Sequence, residues 1–481
     1  MWTIGLYILV AVLVIFISQY WRNNARYSNG VVLPPGSMGL PFIGETLHLI
    51  FPSYSLDLHP FIKKRIQRYG PIFRTNLAGR PVVISVDPEF NNYVFAEEGR
   101  TVELYYMDTF SNIFKHEGES RTNAHGSLHK YIRGIFLTHF GAQSLKNKLI
   151  PLIEQFVDTN LRAWSNQSSI EVKHEASAMV LNFCAKQIFG HDPEKSSEDL
   201  SEMYSRILDG LMSFPLNIPG TAYHRCSKSH EKATNMLRNM LKDKVNNSAE
   251  QKSGGDLVDQ MIRDMDKEKY LSEELVVQML YSALFATFES VSAVIALAFQ
   301  LLSDHPSVLQ ELTAEQDAVF RRKKDPNSPL TWDDYKSMTF TLQVINETLR
   351  LGNVAPGLLR KVLKDIEVKG KGFTIPAGWT IMVVTSALQM NPDTYKNPLE
   401  FNPWRWKEMD SDVISKNFSP FGGGTRQCAG AEFSRAFMCI FFHVLLTKYR
   451  WTKIKGATIS RNPILGFGKG IHIRFAQQYV N

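Results

Sequence analysis

A cysteine and three glycines near the C-terminus form the stretch of this sequence best suited to chemistry. Residues 420–430 read Pro-Phe-Gly-Gly-Gly-Thr-Arg-Gln-Cys-Ala-Gly, and a helical pattern of apolar residues begins at Ala431. Cys428 is therefore expected just before a helix, where free backbone N–H groups and the helix dipole favour a negative charge. Such a position predicts a lowered thiol pKa and a thiolate, the form that ligates metals. Arg426 adds a fixed cation that could meet an anionic group near the same ligand.

The cysteine and the glycines of this loop each have a simpler explanation than a ligand site. A lone cysteine is more often a small buried hydrophobe, and a glycine run is more often only a loop. Glycines at 422–424 also permit turns in which a Cβ would clash, and they could let a flat ligand lie against the backbone. A dinucleotide loop is excluded, because the last glycine of G-x-G-x-x-G counted from Gly422 would fall on Gln427.

The complete string F-x-x-G-x-R-x-C-x-G resembles the haem-ligand loop of the cytochromes P450. It matches at Phe421, Gly424, Arg426, Cys428 and Gly430. The resemblance implies a haem b whose iron takes Cys428 as its proximal ligand, with a thiolate that favours O–O cleavage. It also implies a mostly α-helical fold with small β-sheets around a buried haem. The likeness extends from a proline-rich segment near the N-terminus to the C-terminus.

A long helix is the second element needed to build such a site. Ser272 is a suitable N-cap, the helical pattern continues to about Ser303, and Asp304-His305-Pro306 ends it. The middle of this helix, residues 280–288, is apolar nearly all round, which predicts burial on every side. A hydroxyl inside a helix usually bonds back to a carbonyl one turn earlier, and that is the simplest role for any Ser or Thr there.

The segment Ala286-Thr287-Phe288-Glu289-Ser290 resembles the P450 motif A-G-x-D/E-T, whose acid and hydroxyl relay protons to the oxygen-activating centre. The resemblance implies catalytic roles for Glu289, Ser290 and Thr287. Thr287 replaces the usual glycine and Ser290 replaces the usual threonine. Serine keeps the hydroxyl donor but lacks the methyl group that stiffens χ1.

Glu347 and Arg350 lie three residues apart on a helix predicted from Met338 to Leu351. Alone they would form an ordinary surface ion pair. With Arg405 they resemble the P450 E-x-x-R plus arginine triad. A buried triad of this kind fixes one arrangement of the chain near the haem loop, so its role is structural.

The family resemblance assigns further residues to the haem and the substrate. Arg360 would meet a haem propionate, and Arg133 matches the family's helix arginine. His129 stands where a tryptophan is usual, and is either a propionate contact or a plain surface histidine. The remaining positions predict an apolar substrate cavity. They are Phe285, Ala286, Val354, Ala355, Leu358, Leu359, Leu465 and Phe467.

Short β-branched runs indicate two hairpins, one from 72–76 with 82–85 and one from 373–376 with 379–384. Helical patterns fill most of the remaining chain, including 149–164 and 174–189. Of the 481 residues, 44% are hydrophobic and 21% charged, an ordinary globular balance. Length alone would suggest several domains, but no linker divides the body.

The N-terminus predicts a single membrane anchor. Residues 2–18 are apolar and uncharged, and Arg22 and Arg26 follow them, which keeps the body in the cytoplasm. The alternative is a cleaved signal peptide, which would need a basic residue ahead of the apolar run. We therefore predict an anchor (1–21), a basic and proline-rich hinge (22–44) and a catalytic domain (45–481). Four scattered cysteines suit a reducing compartment, and the anchor suits the endoplasmic reticulum membrane.

The resemblance implies an NADPH- and O2-dependent monooxygenase that inserts one oxygen atom into a C–H bond. Electrons would come from NADPH through a flavoprotein partner, NADPH–cytochrome P450 reductase. The net charge of +7 suits an acidic reductase face and an anionic membrane surface. No nucleic-acid partner is expected.

Within the family, residues 214–221 and 346–360 resemble the plant branch that oxidises sterols and triterpenes, and residues 401–430 resemble plant family 87. The expected substrate is a tetracyclic triterpene or sterol, first of all a cucurbitadienol-type ring at carbon 11. Side-chain oxidation or cleavage is the second choice. An isomerase or dehydratase that needs no reductase and a non-catalytic haem-binding membrane protein stay open, and NADPH-dependent turnover discriminates among them.

Overall fold

The structure is a computed structural model that describes residues 7, 10–18, 27–28, 31–113, 115–116, 119–120, 126–193, 199–211, 213, 215–247, 255–268, 270–323, 325–355, 357–462 and 464–478. The predicted anchor lies mostly outside these residues. Within it, residues 10–18 are helical and exposed. Among the described helices of 18 or more residues, the one apolar enough to cross a membrane is Glu273–Asp304, which is largely buried inside the body.

Helices form most of the described chain. In chain order they are α1 (Thr46–Ile50), α2 (Pro60–Tyr69), α3 (Pro88–Ala96), α4 (Asp108–Ile113), α5 (Gly126–Phe140), α6 (Ala142–Ser144), α7 (Ile150–Ser165), α8 (Val172–Phe189), α9 (Leu200–Leu211), α10 (Ala222–Asn247), α11 (Leu257–Met265), α12 (Glu273–Asp304), α13 (Pro306–Arg321), α14 (Trp332–Ser337), α15 (Thr339–Gly352), α16 (Thr385–Gln389), α17 (Arg405–Glu408), α18 (Ser411–Asn417) and α19 (Ala431–Lys448).

The strands are short and form several small sheets. They are β1 (Tyr27–Ser28), β2 (Val31–Val32), β3 (Ile72–Leu77), β4 (Arg80–Ser85), β5 (Val102–Leu104), β6 (Lys115–His116), β7 (Glu119–Ser120), β8 (Ile170–Glu171), β9 (Leu358–Val362), β10 (Ile366–Val368), β11 (Phe373–Ile375), β12 (Thr380–Val383), β13 (Tyr449–Lys455), β14 (Ser460–Asn462), β15 (Ile464–Gly466) and β16 (His472–Gln477). The largest sheet has the order β3-β4-β12-β9-β5. A mostly helical fold with small sheets is confirmed.

The hairpin predicted at 72–76 and 82–85 is confirmed, since β3 and β4 pair antiparallel. The second predicted hairpin is wrong. β11 pairs with β10, whereas β12 inserts between β9 and β4 and runs parallel to β4. The apolar pattern of β12 is that of a strand buried within a sheet, and its partners lie far away in sequence. Within the predicted hinge, Pro35 is hydrogen-bonded to the body, because the Arg74 N–H donates to the Pro35 carbonyl at 2.8 Å.

Helix α12 is the central helix of the body. Its N-cap is Ser272, whose side chain accepts from the Leu275 N–H at 3.2 Å, as the sequence predicts. It ends at Asp304 because Pro306 opens the next helix. Helices α8, α10, α15 and α19 all pack against α12. The prediction that its middle is buried on every side is wrong, because Ala286 is exposed. One face of this helix forms a cavity wall.

Candidate active site

The loop before α19 brings Cys428 to the edge of a cavity. The Cys428 N–H donates to the Phe421 carbonyl at 3.0 Å, and this bond closes the loop. Gly424 has φ of +66°, and a Cβ there would lie 2.3 Å from the Phe95 carbonyl oxygen. The loop therefore requires glycine at this position. Cys428 is the exposed cysteine of the four, and the other three are buried.

The predicted lowering of the Cys428 pKa is wrong. Cys428 is open to the cavity, but the protein that encloses the cavity shields its thiol from bulk water, and this desolvation raises the pKa of the thiol, although the Gly430 N–H and the guanidinium groups of Arg133 and Arg435 act in the opposite direction. Desolvation disfavours the thiolate more than these groups favour it. The prediction included the effect of the helix start on the thiol pKa but not the effect of the apolar surroundings. Burial raises the pKa of the other thiols as well, to about 12 at Cys184 and to about 11 at Cys226.

The cavity beside Cys428 has two lobes of about 420 and 480 Å³. The first lobe extends along α12 between α5 and α8, and the second extends toward β9 and the cysteine loop. The lobes form one space, because eight residues line both. These are Tyr106, His129, Ala286, Ser290, Val291, Arg426, Cys428 and Ser434.

Two of the predicted cofactor-binding arginines, Arg360 and Arg426, meet at the wall of the second lobe. Arg360 Nε lies 2.7 Å from Glu98 Oε2, and Arg426 Nε donates to Glu98 Oε1 at 2.9 Å. Glu98 also accepts from the Leu104 N–H at 3.0 Å. The Arg360–Glu98 contact is a close ion pair that lacks hydrogen-bond alignment, so Arg360 Nε and Glu98 Oε2 stay without a hydrogen-bond partner. Burial lowers the pKa of Arg360, while Glu98 raises it.

The other predicted cofactor residues also lie near Cys428. Arg133 lines the second lobe and its guanidinium donates to the Gln427 carbonyl. His129 lines both lobes, so it is not a plain surface histidine. Phe421 lines the second lobe and Gly430 the first.

These residues fit the haem implied by the cysteine loop. A thiol opens into the cavity, and two arginines at its wall are paired with one carboxylate between them. Arg360 and Arg426 share the single Glu98 carboxylate, so the cluster keeps a net positive charge that can meet an anionic group. Cys428 would hold the iron, and Arg360, Arg426 and Arg133 would face the propionates.

The three predicted relay residues on α12 separate into two groups. Ser290 lines both lobes and Thr287 lines the first. Their hydroxyls donate back to helix carbonyls, Ser290 to Ala286 and Thr287 to Leu284, both at 2.9 Å. Glu289 lines neither lobe. Its carboxylate pairs with Lys173 of α8 at 2.7 Å, and burial raises its pKa while Lys173 lowers it.

Five of the eight predicted substrate residues line the cavity. Phe285 and Ala286 line the first lobe, and Val354, Ala355 and Leu358 line the second. The other three line neither lobe. Leu359 faces the opposite side of β9 from Leu358, because successive side chains of a strand alternate. Leu465 and Phe467 are buried in the main core.

The predicted triad is assembled as the family resemblance implied. Glu347 accepts from Arg350 Nε at 2.9 Å and Nη2 at 2.8 Å, and from Arg405 Nε at 3.0 Å. The Trp406 indole and the Asn402 N–H complete its shell. Arg350 reaches the carbonyls of Gln389 and Pro398 as well. The carboxylate is fully buried and fully bonded, which is a structural arrangement.

Sequence reasoning missed several residues that line the cavity or pair with residues of the site. Glu98, Tyr106 and Lys173 are unremarkable in the sequence, and only the fold brings them to the site. Gln278 and Ser282 also line the first lobe. Gln278, Ser282 and Ala286 follow one another at intervals of four residues on α12, and this spacing was the signal that could have revealed the first two.

Comparison with known proteins is consistent with this geometry. The family model of cytochrome P450 matches residues 34–470. Beta-amyrin 16-alpha-hydroxylase of Maesa lanceolata is 51% identical over 482 residues, which cover 99% of this chain and 100% of the relative. Cucurbitadienol 11-hydroxylase of Siraitia grosvenorii is 50% identical over 479 residues, 99% of each chain. The structure of cyanobacterial CYP120A1 with bound retinoic acid is 23% identical, covers 93% of this chain and 100% of its own, and has a TM-score of 0.77.

Proposed function

Since this chain belongs to the cytochrome P450 family, we propose that it hydroxylates a tetracyclic triterpene or sterol, with carbon 11 of a cucurbitadienol-type ring as the first candidate. Family membership makes the protein an oxidoreductase of the monooxygenase class. Its cofactor is haem, its oxidant is dioxygen, and NADPH supplies the electrons through a reductase. Bound haem supplies the oxygen chemistry, and the side chains of this chain bind the haem and orient the substrate.

The observation that carries the proposal is the largely apolar cavity that opens onto Cys428. Phe285, Ala286 and Val291 of α12 line it on one side, and Val354 and Leu358 line it on another. A rigid hydrocarbon skeleton fits such a wall, because shape and not charge must orient it. Two relatives of about half identity over their full length carry names of triterpene hydroxylases, which supports the substrate class.

The proton relay is the second part of the proposal. Ser290 lines the cavity beside Cys428, and its hydroxyl, which donates to the Ala286 carbonyl, would have to rotate about χ1 to donate into the cavity. Glu289 precedes it and is paired with Lys173, so this ion pair would have to open before the carboxyl could pass a proton to the cavity. We expect the Ser290→Ala variant to divert electrons into peroxide and the Ser290→Thr variant to keep coupling.

We also propose a single-pass protein of the endoplasmic reticulum membrane with its catalytic domain in the cytoplasm. The uncharged run at 2–18 and the following arginines support this orientation. Apolar side chains that follow the anchor in sequence are exposed, among them Leu40, Phe42, Phe51 and Tyr54. Such exposure in a chain segment next to an anchor suits contact with lipid. NADPH–cytochrome P450 reductase would be the electron-donating partner.

The experiment that tests the proposal is turnover by microsomes that contain this protein and a plant reductase. A panel of triterpenes, sterols, fatty acids and small aromatics is offered with and without NADPH, and product masses are measured. We expect a gain of one oxygen atom on a triterpene or sterol, only with NADPH and reductase. Oxidation of fatty acids or small aromatics alone would contradict the substrate class. Turnover without NADPH would favour an isomerase or dehydratase.

A further inference from the structure

We infer that Gln278 and Ser282 form a polar anchor that binds the ring hydroxyl of the substrate, at the end of the cavity away from Cys428. This inference rests on the proposed function, because it names the substrate group that the cavity recognises. Gln278 and Ser282 line the first lobe and do not line the second. They lie 12 and 8 residues before Ser290 on α12, so they belong to the part of the cavity that extends along this helix away from Ser290.

The anchor lies on the same face of α12 as the reaction site. Positions 278, 282, 286 and 290 are spaced four residues apart and all line the first lobe. A helix rises about 1.5 Å per residue, so the Ser282 backbone lies about 12 Å along the axis from Ser290. One row of side chains thus carries polar groups at both ends and Ala286 between them.

The two ends of this row differ in their hydrogen bonds, which are formed near Ser290 and, among the described residues, are not formed by the side chains of Gln278 and Ser282. Ser290 donates to the Ala286 carbonyl and Thr287 to the Leu284 carbonyl. Within the described part of the chain, the side chains of Gln278 and Ser282 make no hydrogen bond and no ion pair. Both are half-buried. They keep their donors and acceptors for a ligand or for water.

The surroundings of the anchor are mainly apolar. The same lobe is lined by Leu275, Met279, Phe136 and Ile188. A polar group in such a setting loses contact with bulk water, so pairing it with a ligand is favourable. A carboxamide and a hydroxyl can each donate and accept, and so can a secondary alcohol. The pair therefore suits a neutral hydroxyl and gives no counter-charge for an ionised group.

The length of the row suits a fused-ring alcohol. Carbon–carbon bonds of about 1.5 Å make each fused six-membered ring about 2.5 Å long, so four rings span roughly 10 Å. With its hydroxyl at Ser282 and Gln278, such a skeleton would lie along the row past Ala286 toward Ser290, so that carbons in the middle of the rings pass beside Ala286. The anchor would then determine which ring carbon lies beside the reaction site, a register that the apolar wall alone does not impose.

The test compares the affinity of cucurbitadienol with that of its methyl ether, which cannot donate a hydrogen bond. Substrate-induced change of the haem Soret band is titrated with the haem-loaded enzyme. A hydrogen bond is worth about 1 kcal/mol net, so we expect the alcohol to bind several-fold to tenfold more tightly than the ether. In the Gln278→Leu/Ser282→Ala double variant this preference should disappear, mainly by weaker binding of the alcohol.

Ser292→Ala is the matched control, because Ser292 lies on α12 and is buried with its hydroxyl bonded to the Phe288 carbonyl. It should keep the preference for the alcohol. Equal binding of alcohol and ether by the parent enzyme, or an unchanged preference in the double variant, would overturn the anchor and leave the proposed function intact. Binding of neither compound, with binding of another substrate class, would overturn both.

Discussion

Two buried clusters in this protein have the same composition, one glutamate between two arginines, but they differ in how completely they are bonded. Glu347 has five donors, and its partners Arg350 and Arg405 are also bonded to backbone carbonyls. Glu98 lies between Arg360 and Arg426 at the cavity wall, and its contact with Arg360 lacks hydrogen-bond alignment. The first cluster is complete without a ligand, whereas the second retains capacity for one.

The difference shows how the same ionic groups serve different purposes. A buried charge that lacks bonds is costly, so a protein keeps it where a ligand completes its shell. The Glu347 cluster joins α15 to the α17 segment, and none of its three residues lines either lobe of the cavity. The Glu98 cluster joins the end of α3, β9 and the cysteine loop, all of which border the cavity. We expect substitutions in the two clusters to separate folding from haem binding.

The largest effect is expected from Glu347→Ala. The variant leaves two buried guanidinium groups without their carboxylate, which costs about 3–5 kcal/mol. We expect little folded protein with or without haem, measured as the yield of soluble monomer and the urea midpoint. A variant that keeps the parent's midpoint would contradict a structural role for this cluster.

A smaller and haem-dependent effect is expected from Glu98→Gln. The change removes the charge shared by Arg360 and Arg426, which should destabilise the haem-free protein by about 1–3 kcal/mol. In the haem-loaded protein the propionates provide acceptors, so the loss should be smaller. Thermal unfolding with and without haem measures the difference. An equal loss in both forms would mean that Glu98 acts only on the fold, as Glu347 does.

The smallest expected effect is a pH dependence at Glu289. Burial raises the pKa of this carboxyl above its ordinary value of 4.5. Because the pKa of Glu289 is higher in the folded state than in the unfolded state, the group contributes its full stabilisation below the unfolded-state pKa. This stabilisation is lost as the pH rises through the folded-state pKa. The stability of the parent relative to Glu289→Gln should therefore fall as the pH rises above 4.5 and through the raised folded-state pKa of Glu289.

Lys173 provides the control for this pH dependence. Lys173→Met removes the cation that lowers the Glu289 pKa, so the loss of stability should shift to higher pH. Urea unfolding across the pH range measures both variants. A stability difference that does not change with pH would show that Glu289 titrates alike in the folded and unfolded states.

Much of this fold and site could be predicted from local sequence. The Ser272 cap, the end of α12 before Pro306 and the loop around Cys428 all depend on neighbouring residues. Long-range contacts could not be predicted in the same way. β12 pairs with β4 and β9, and neither is its neighbour in the order of the strands along the chain, so its pairing was predicted wrongly. Leu359 points away from the cavity because side chains alternate along β9, and predicting this side required the position of β9 in the sheet.

The electrostatics of the site were the least predictable part. A helix start near Cys428 is visible in the sequence, but the apolar surroundings that raise the pKa of its thiol come from many distant residues. Glu98 lies more than 250 residues before either arginine that it contacts. Burial and charge pairing are properties of the assembled fold, and a local pattern does not contain them.

The most direct test of the account is the carbon monoxide spectrum of the reduced protein. We propose that Cys428, whose thiol opens into the cavity, holds the iron as a thiolate, whereas Cys439 is buried in α19. Cys428→Ala should abolish the Soret band that marks thiolate ligation, and the matched Cys439→Ala variant should keep it. A thiolate band that survives in Cys428→Ala, or that is lost in Cys439→Ala alone, would contradict the assignment of the iron ligand.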